Sequence, residues 1–193
     1  MRISFRDVLL AAVLPCVSTM AGAVRGADDY VVDTMHAGVN FKISHLGLSW
    51  IHGRFNDFSG SFTLDPDNPG SGSFNLSIKA ESIDTNNSKR DAHLRSPDFF
   101  NVKQFPEITF KSTAIKPIQD GYELTGDFTL HGVTKPITFT LHGGRKAEFP
   151  KGIQRTGFST DLIIKRSEFG VDKFAGAVGE DVNVAVSFEG TKK

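Results

Sequence analysis

Cysteine is nearly absent from this chain: one residue in 193, Cys16. A single thiol closes no intrachain disulfide and builds no thiolate metal cluster. Long hydrophobic runs are absent as well. The run Val8-Leu9-Leu10-Ala11-Ala12-Val13-Leu14 stops at Pro15 and is too short to cross a bilayer. Net charge is absent too, with 22 basic and 22 acidic residues. No basic stripe stands out, so electrostatics lend nucleic-acid binding no support. Trp and Tyr are scarce, one and two residues, against 17 Phe. Phe has no polar handle and suits surfaces that stay dry.

What is present begins with an export signal. Arg2 and Arg6 precede the apolar run, and Ala21-Gly22-Ala23 places small residues around a cleavage point. That order reads as a secretory signal peptide over residues 1–23, with cleavage as late as residue 27 also compatible. A lipoprotein signal wants a small residue before its cysteine, and Pro15 stands there. Cys16 is therefore expected to leave with the signal rather than carry a lipid. The mature chain is then about 170 residues with a charge of −1, the size of one domain. Nothing in it reaches membrane-spanning length, so a soluble exported protein is expected.

The strongest pattern in that domain is alternation. Val39, Phe41 and Ile43 alternate with Asn40, Lys42 and Ser44. The same period runs through Phe74–Ile78, Tyr122–Leu130, Ile137–Leu141 and Val182–Phe188. One apolar and one polar face per segment predicts antiparallel strands, wet on one side. With 53–64, 108–115 and 157–165 there are about eight strands, and Tyr30-Val31-Val32 is a candidate ninth. Turns are predicted at 65–70, at Gln119-Asp120-Gly121 and at His142-Gly143-Gly144. Such spacing fits a sandwich or a barrel. Phe-crowded inner faces favour the barrel, which buries one face per strand and leaves no edge.

Residues 81–107 break the rhythm. Asn86-Asn87-Ser88 can cap a short helix through Lys89-Arg90-Asp91-Ala92-His93-Leu94-Arg95, stopped by Pro97. A connection this long is usually functional or a lid. On a helix, Arg90 and His93 share a face. The pair can grip a phosphate-like headgroup with charge-assisted bonds. Equally, Arg90 or Asp91 can tie the loop to the barrel. Trp50, in an apolar stretch between strands, can wall the cavity entrance or plug a barrel end. Phe99, Phe100 and Phe105 can close the same end or the opposite one.

No catalytic constellation stands out, and no Gly-x-Ser-x-Gly elbow is present. His36, His45 and His52 lack the short spacing of a helical metal site. The expectation is a binding protein with no catalytic residue, metal or cofactor.

Several motifs in order resemble the YceI-like family. They are Tyr30-Val31-Val32-Asp33 with His36, Phe41-Lys42-Ile43-Ser44-His45-Leu46-Gly47 and Gly53-Arg54-Phe55. Next come Ser82-Ile83-Asp84-Thr85 and Lys89-Arg90-Asp91-Ala92-His93-Leu94-Arg95-Ser96-Pro97-Asp98-Phe99-Phe100. Phe105-Pro106-Glu107-Ile108-Thr109-Phe110 and Leu124-Thr125-Gly126-Asp127-Phe128-Thr129-Leu130-His131-Gly132-Val133-Thr134-Lys135-Pro136 continue the series. Ile164-Lys165-Arg166-Ser167-Glu168-Phe169-Gly170-Val171 ends it. Ala37 stands where that family usually has serine, so a hydroxyl contact is missing there.

The resemblance implies an all-β, eight-stranded antiparallel lipocalin-like barrel over residues 28–191, with a long, partly helical loop. It implies a periplasmic binder of polyisoprenoids, isoprenoid quinones or other fatty-chain amphiphiles. The ligand-binding residues expected on this reading are Phe41, His45, Trp50, Arg90, His93, Phe100 and Phe110. Transient contact with the inner membrane and a homodimer are compatible with it. The alternatives are a filled barrel acting as an envelope stress or interaction protein, and an enzyme on an apolar substrate.

Overall fold

The computed structural model describes residues 26–65 and 67–193. The signal peptide read over residues 1–23, with Cys16, lies outside the described residues. The strands are β1 (Asp28–His45), β2 (Ser49–Phe55), β3 (Phe58–Leu64), β4 (Ser73–Lys79) and β5 (Ile83–Asp84). After the helix α1 (Ser88–Arg95) come β6 (Glu107–Ile118), β7 (Gly121–Leu130), β8 (Val133–Glu148), β9 (Gln154–Lys165) and β10 (Val178–Lys192). Among the described residues no helix is long and apolar enough to cross a membrane.

The sheet closes into the expected eight-stranded antiparallel barrel. Successive neighbours run β10-β9-β8-β7-β6-β4-β3-β1, and β1 pairs back with β10. Strand β1 is 18 residues long and spans both levels of the barrel. Its start pairs with β3, Asp28 opposite Leu64, and its second half with β2, Val39 opposite Phe55. Strands β2 and β3 thus share one position in the ring, interrupted at Asn56-Asp57. The short β5 extends the sheet beyond β2, with Ile83 opposite Phe55.

Three details differ from the alternation reading. Residues 53–64 are not one strand but the end of β2 and the whole of β3, because Asn56-Asp57 break the pairing between them. Tyr30-Val31-Val32 is no ninth strand; it begins β1 and joins the rest through a bulge between Asp33 and Ala37. His142-Gly143-Gly144 is no turn. Strand β8 runs through it to Glu148, with a bulge against β9 between Gly143 and Arg145. Gly143 and Gly144 have φ of 120° and 93°. Two positive-φ glycines kink the strand and add twist without reversing it.

The interior has two storeys. In the lower one, Tyr30, Phe62, Phe74 and Phe158 form the centre of a solid core. Tyr30 stacks on Phe62 at 4.8 Å, Phe62 on Phe74 at 5.2 Å, and Phe158 meets Phe74 edge-on at 5.5 Å. An ionic plug lies at this end. The buried Asp28 carboxylate accepts hydrogen bonds from Lys192 Nζ at 2.6 Å and Lys146 Nζ at 3.1 Å. Those two lysines, Lys192 foremost, hold its carboxyl below the ordinary range. The upper storey is built on Val39, Phe55, Ile78, Ile83, Ile108 and Ile164, mostly aliphatic side chains.

Candidate ligand-binding cavity

The upper storey is hollow. A cavity of about 460 Å³ lies inside the barrel there, within the range usual for small-molecule sites. Period two places its walls. On β1 the inward residues are Val39, Phe41, Ile43 and His45; on β10 they are Val182, Val184 and Val186. Valine and isoleucine are enriched in strands, where their branched side chains pack well. They are also too short to reach the axis of an eight-stranded barrel, so space remains between them.

Phe110 and Phe139 line its lower part, with ring centroids 5.2 Å apart. Phe110 also belongs to the lower core. The other end is covered by two segments. The first is the connection between β4 and β6. Asn87 caps α1, its side chain accepting from the Arg90 amide, and the helix is almost wholly polar. It is held by hydrogen bonds rather than by an apolar face.

Arg90 donates through Nε to Thr85 Oγ1 and through Nη2 to the Thr85 carbonyl, both at 2.7 Å. Buried Asp91 accepts from the Thr85 amide at 2.9 Å and from its hydroxyl. Arg95 donates to the Glu81 and Ile83 carbonyls at 2.6 and 2.7 Å. These bonds satisfy backbone groups that the irregular connection would otherwise leave open. Arg90 therefore ties down the loop, and its side chain also lines the cavity.

The second covering segment follows β9. Arg166 is 4% exposed and spreads its guanidinium over four carbonyls. It donates to Gly179, Val171, Lys173 and Val178 at 2.7–3.1 Å. That fixes the loop carrying Phe174 over the barrel end. The segments meet at one cluster. Phe174 stacks on Phe99 with centroids 6.0 Å apart, and His93 packs edge-on to both rings. His93 Nε2 bonds Asp98 at 2.9 Å, and Lys173 Nζ lies 3.4 Å from the same carboxylate. His93 foremost, with Lys173, holds the Asp98 carboxyl below its ordinary value.

Six of the seven residues expected at the site line this cavity: Phe41, His45, Arg90, His93, Phe100 and Phe110. Trp50 does not. It sits opposite Ser44, on the outward parity of β2, 51% exposed with Lys42 Nζ 5.1 Å from its ring centroid. Its neighbour Ile51, one step along the pleat, points inward instead. Phe100 packs edge-on to Phe55, whereas Phe105 packs on His131, away from the cavity.

Arg166 and Phe174 were missed by alternation alone. Position 166 keeps the inward parity of Phe158, Thr160, Leu162 and Ile164, so period two marks it as facing in. No local signal marks Phe174. Among the described residues, no three His, Asp or Glu side chains converge as a metal-binding group.

Comparison with known proteins then decides the family. The YceI-like domain matches residues 30–190, all but the ends of the barrel just described. The chain belongs to the YceI-like family. Protein YceI of Escherichia coli is 42% identical over 169 residues, covering 86% of this chain and 88% of its own length. Among YceI-like structures, the Campylobacter jejuni YCEI protein superposes with a TM-score of 0.69 at 28% identity, over 96% of this chain and 99% of its own. A protein from Saccharophagus degradans described as a polyisoprenoid binding domain has the same fold. Its TM-score is 0.65 at 17% identity, over 87% of this chain and 100% of its own. The central YceI-like motif, from Lys89 to Phe100, contributes α1 and the aromatic cover; the last motif contributes Arg166.

Proposed function

We propose that this protein binds the tail of a polyisoprenoid or similar long-chain amphiphile inside the barrel, and stores or carries it in the periplasm. The observation that carries the reading is the cavity, an aliphatic and aromatic interior with polar groups gathered at the covered end. Phe41, Phe110 and the valines of β10 offer a tail a dry wall, while His45, Arg90 and His93 stand where a headgroup would sit. The Saccharophagus degradans domain of the same fold adds support. Periplasmic residence rests on the export signal. The reading is of a binder with no chemical step.

Energetics narrow the claim. Burying one CH₂ from water stabilises by about 0.8 kcal/mol, so a few isoprene units suffice for tight binding from water. A prenyl lipid, however, normally lies in a bilayer, where its tail is already dry. Moving the tail into the barrel gains little against that reference. Selectivity then falls to cavity shape and to the groups at the mouth. Arg90 already spends Nε and Nη2 on Thr85, and His93 spends Nε2 on Asp98, which shifts headgroup recognition towards His45 and the remaining nitrogens of Arg90 and His93.

The test is to purify the mature protein from its native envelope, extract it with organic solvent and analyse the extract by mass spectrometry. A stoichiometric amphiphile is the expected result. Repeated absence of one, with no apolar ligand taken up on addition, overturns the reading.

A further inference from the structure

Exposed apolar side chains gather beside the covered end of the barrel. The turn between β1 and β2 carries Leu46 and Leu48, the latter 84% exposed, and Trp50 follows near the start of β2. Phe174, also exposed, stands on the adjoining segment. The Leu46 amide holds that segment through a 2.7 Å bond to the Ala177 carbonyl.

The turn is built against its own propensity. Leu46 and Gly47 have φ of 55° and 66°, and the Leu48 amide donates to the His45 carbonyl at 3.0 Å. Positive φ at both central residues of such a hairpin turn calls for Asn, Asp or Gly. A leucine there is strained. Backbone geometry gives no reason for it, and neither does burial, because the side chain lies in solvent. A contact outside the chain remains as the reason.

Charge and position name that contact. Between Asp33 and Asp57 the chain has no acidic residue, only Lys42, Arg54 and the histidines 36, 45 and 52. Lys42 Nζ lies 5.1 Å from the Trp50 ring centroid and makes no ion pair among the described residues. Two leucines at a protruding tip, an indole behind them and a free lysine beside it match a bilayer interface. Leucine enters hydrocarbon, tryptophan lies at headgroup level, and the cation meets anionic phosphate. A fluid bilayer conforms to such a tip, whereas a protein partner would need a matching hollow.

We propose that the β1–β2 turn is a membrane-docking tip. Leu46 and Leu48 enter the surface of an anionic phospholipid bilayer, Trp50 and Lys42 lie among its headgroups, and the covered end of the barrel faces the lipid. The backbone limits the depth. Strand β2 pairs with β5 only at Arg54 and Phe55, so Ser49–Gly53 have no partner strand on that side. Unpaired amides do not enter hydrocarbon, and β2 stays at the interface. The proposal rests on the lipid reading for its purpose. Ser44, His45 and Ile51 of the same hairpin line the cavity, so docking brings the ligand's entrance to the membrane.

Trp50 is the single tryptophan, and its fluorescence reports on this site alone. The mature protein is titrated with vesicles of phosphatidylethanolamine and phosphatidylglycerol, and with vesicles of phosphatidylcholine alone; sedimentation measures the bound fraction. A blue shift and stronger binding to the anionic vesicles are expected. Leu48→Asp should lower partitioning on the order of tenfold or more. Lys42→Glu should lower it several-fold on the anionic vesicles only. Leu46→Asn suits the positive φ, so it should raise the melting temperature while weakening binding, opposite signs that misfolding does not produce. Phe149→Ser, at an exposed ring on the opposite end, should leave partitioning unchanged. Circular dichroism establishes that each variant is folded.

No blue shift with either vesicle, or wild-type partitioning by folded Leu48→Asp and Leu46→Asn, overturns the docking tip. So does a lipid-free dimer that shields Trp50 from acrylamide and that Leu48→Asp dissolves, because the tip would then join two copies of the chain. Each of these outcomes leaves the lipid reading standing. Uptake of an apolar ligand from detergent-free solution, without vesicles, tests that reading separately.

Discussion

The lower and upper halves of this barrel share eight strands and one alternation, yet one is solid and the other hollow. In the lower half the inward residues include Tyr30, Phe62, Phe74 and Phe158; in the upper half they include Val39, Ile43, Ile164 and Val184. Rings reach the barrel axis and interlock, whereas branched aliphatic side chains stop short of it. The closures differ as well. The lower end is plugged by Asp28 with Lys146 and Lys192, from the ends of β1, β8 and β10. The upper end is covered by two irregular segments, each fastened by an arginine bonded to carbonyls. A barrel can thus be a core and a container at once, with the switch set by side-chain reach.

The largest test of that contrast is a pair of truncations. Phe62→Ala is expected to cost about 3–5 kcal/mol, because the ring sits in a packed stack that cannot collapse around the void. Val184→Ala, on a cavity wall, is expected to cost less than about 1.5 kcal/mol. Urea unfolding midpoints measure both, and equal losses would show the two halves to be packed alike.

Next in size is Asp91→Ala, which leaves the buried Thr85 amide and hydroxyl without their acceptor. A loss of about 1–3 kcal/mol is expected. It should come with faster amide hydrogen exchange across α1 and little change in the lower half. Spread evenly over the barrel, that faster exchange would contradict a separately fastened cover.

The third test uses pH. Asp33, on the lower half of β1, accepts from Arg155 Nη1 at 2.6 Å and from His36 Nδ1 at 2.9 Å. These hydrogen bonds, that of Arg155 foremost, hold its pKa at about 2 against an ordinary 3.8. A carboxyl with a depressed folded-state pKa favours the native state above its unfolded pKa, and the benefit fades as pH falls through the folded value. Asp33→Asn should therefore be less stable than wild type from pH 4 upward, with the gap closing as pH falls towards about 2. Denaturation midpoints at several pH values follow the gap; one that stays constant down to pH 2 contradicts the pairing.

The smallest effect on stability is expected from Lys173→Ala. Exposed ion pairs contribute about 0–1 kcal/mol, so the melting temperature should scarcely move. Ligand release, followed by stopped-flow with an apolar fluorophore, should quicken a few-fold if the Lys173–Asp98–His93 cluster clasps the two covering segments together. An unchanged release rate would mean that the aromatic contact of Phe174 with Phe99 suffices.

Much of the fold was legible in the chain because a strand writes its two faces with period two. Alternation located the strands, and Asn87 and Pro97 bounded the helix, since caps and breakers act within a turn or so of themselves. Parity also placed Phe41 inward, while His45 and Phe110 came from the family resemblance. Trp50 was misplaced because an apolar residue in an apolar stretch carries no parity of its own; the pairing register with Ser44 turns it outward. At His142-Gly143-Gly144, glycine's freedom serves a bulge as readily as a turn, and only pairing with β9 separates them.

By itself, then, the sequence determined the β class, the inward face of nearly every strand and the polar helical cover, all of them local properties. The YceI-like motifs add the barrel. Only the tertiary structure decided where the rings of β3, β4 and β9 meet, and therefore where the solid core ends and the cavity begins. It also decided that Arg166 and Arg90 fasten the two halves of the cover. Those outcomes depend on which residues from distant segments arrive at the same height on the barrel axis, a quantity that strand register sets.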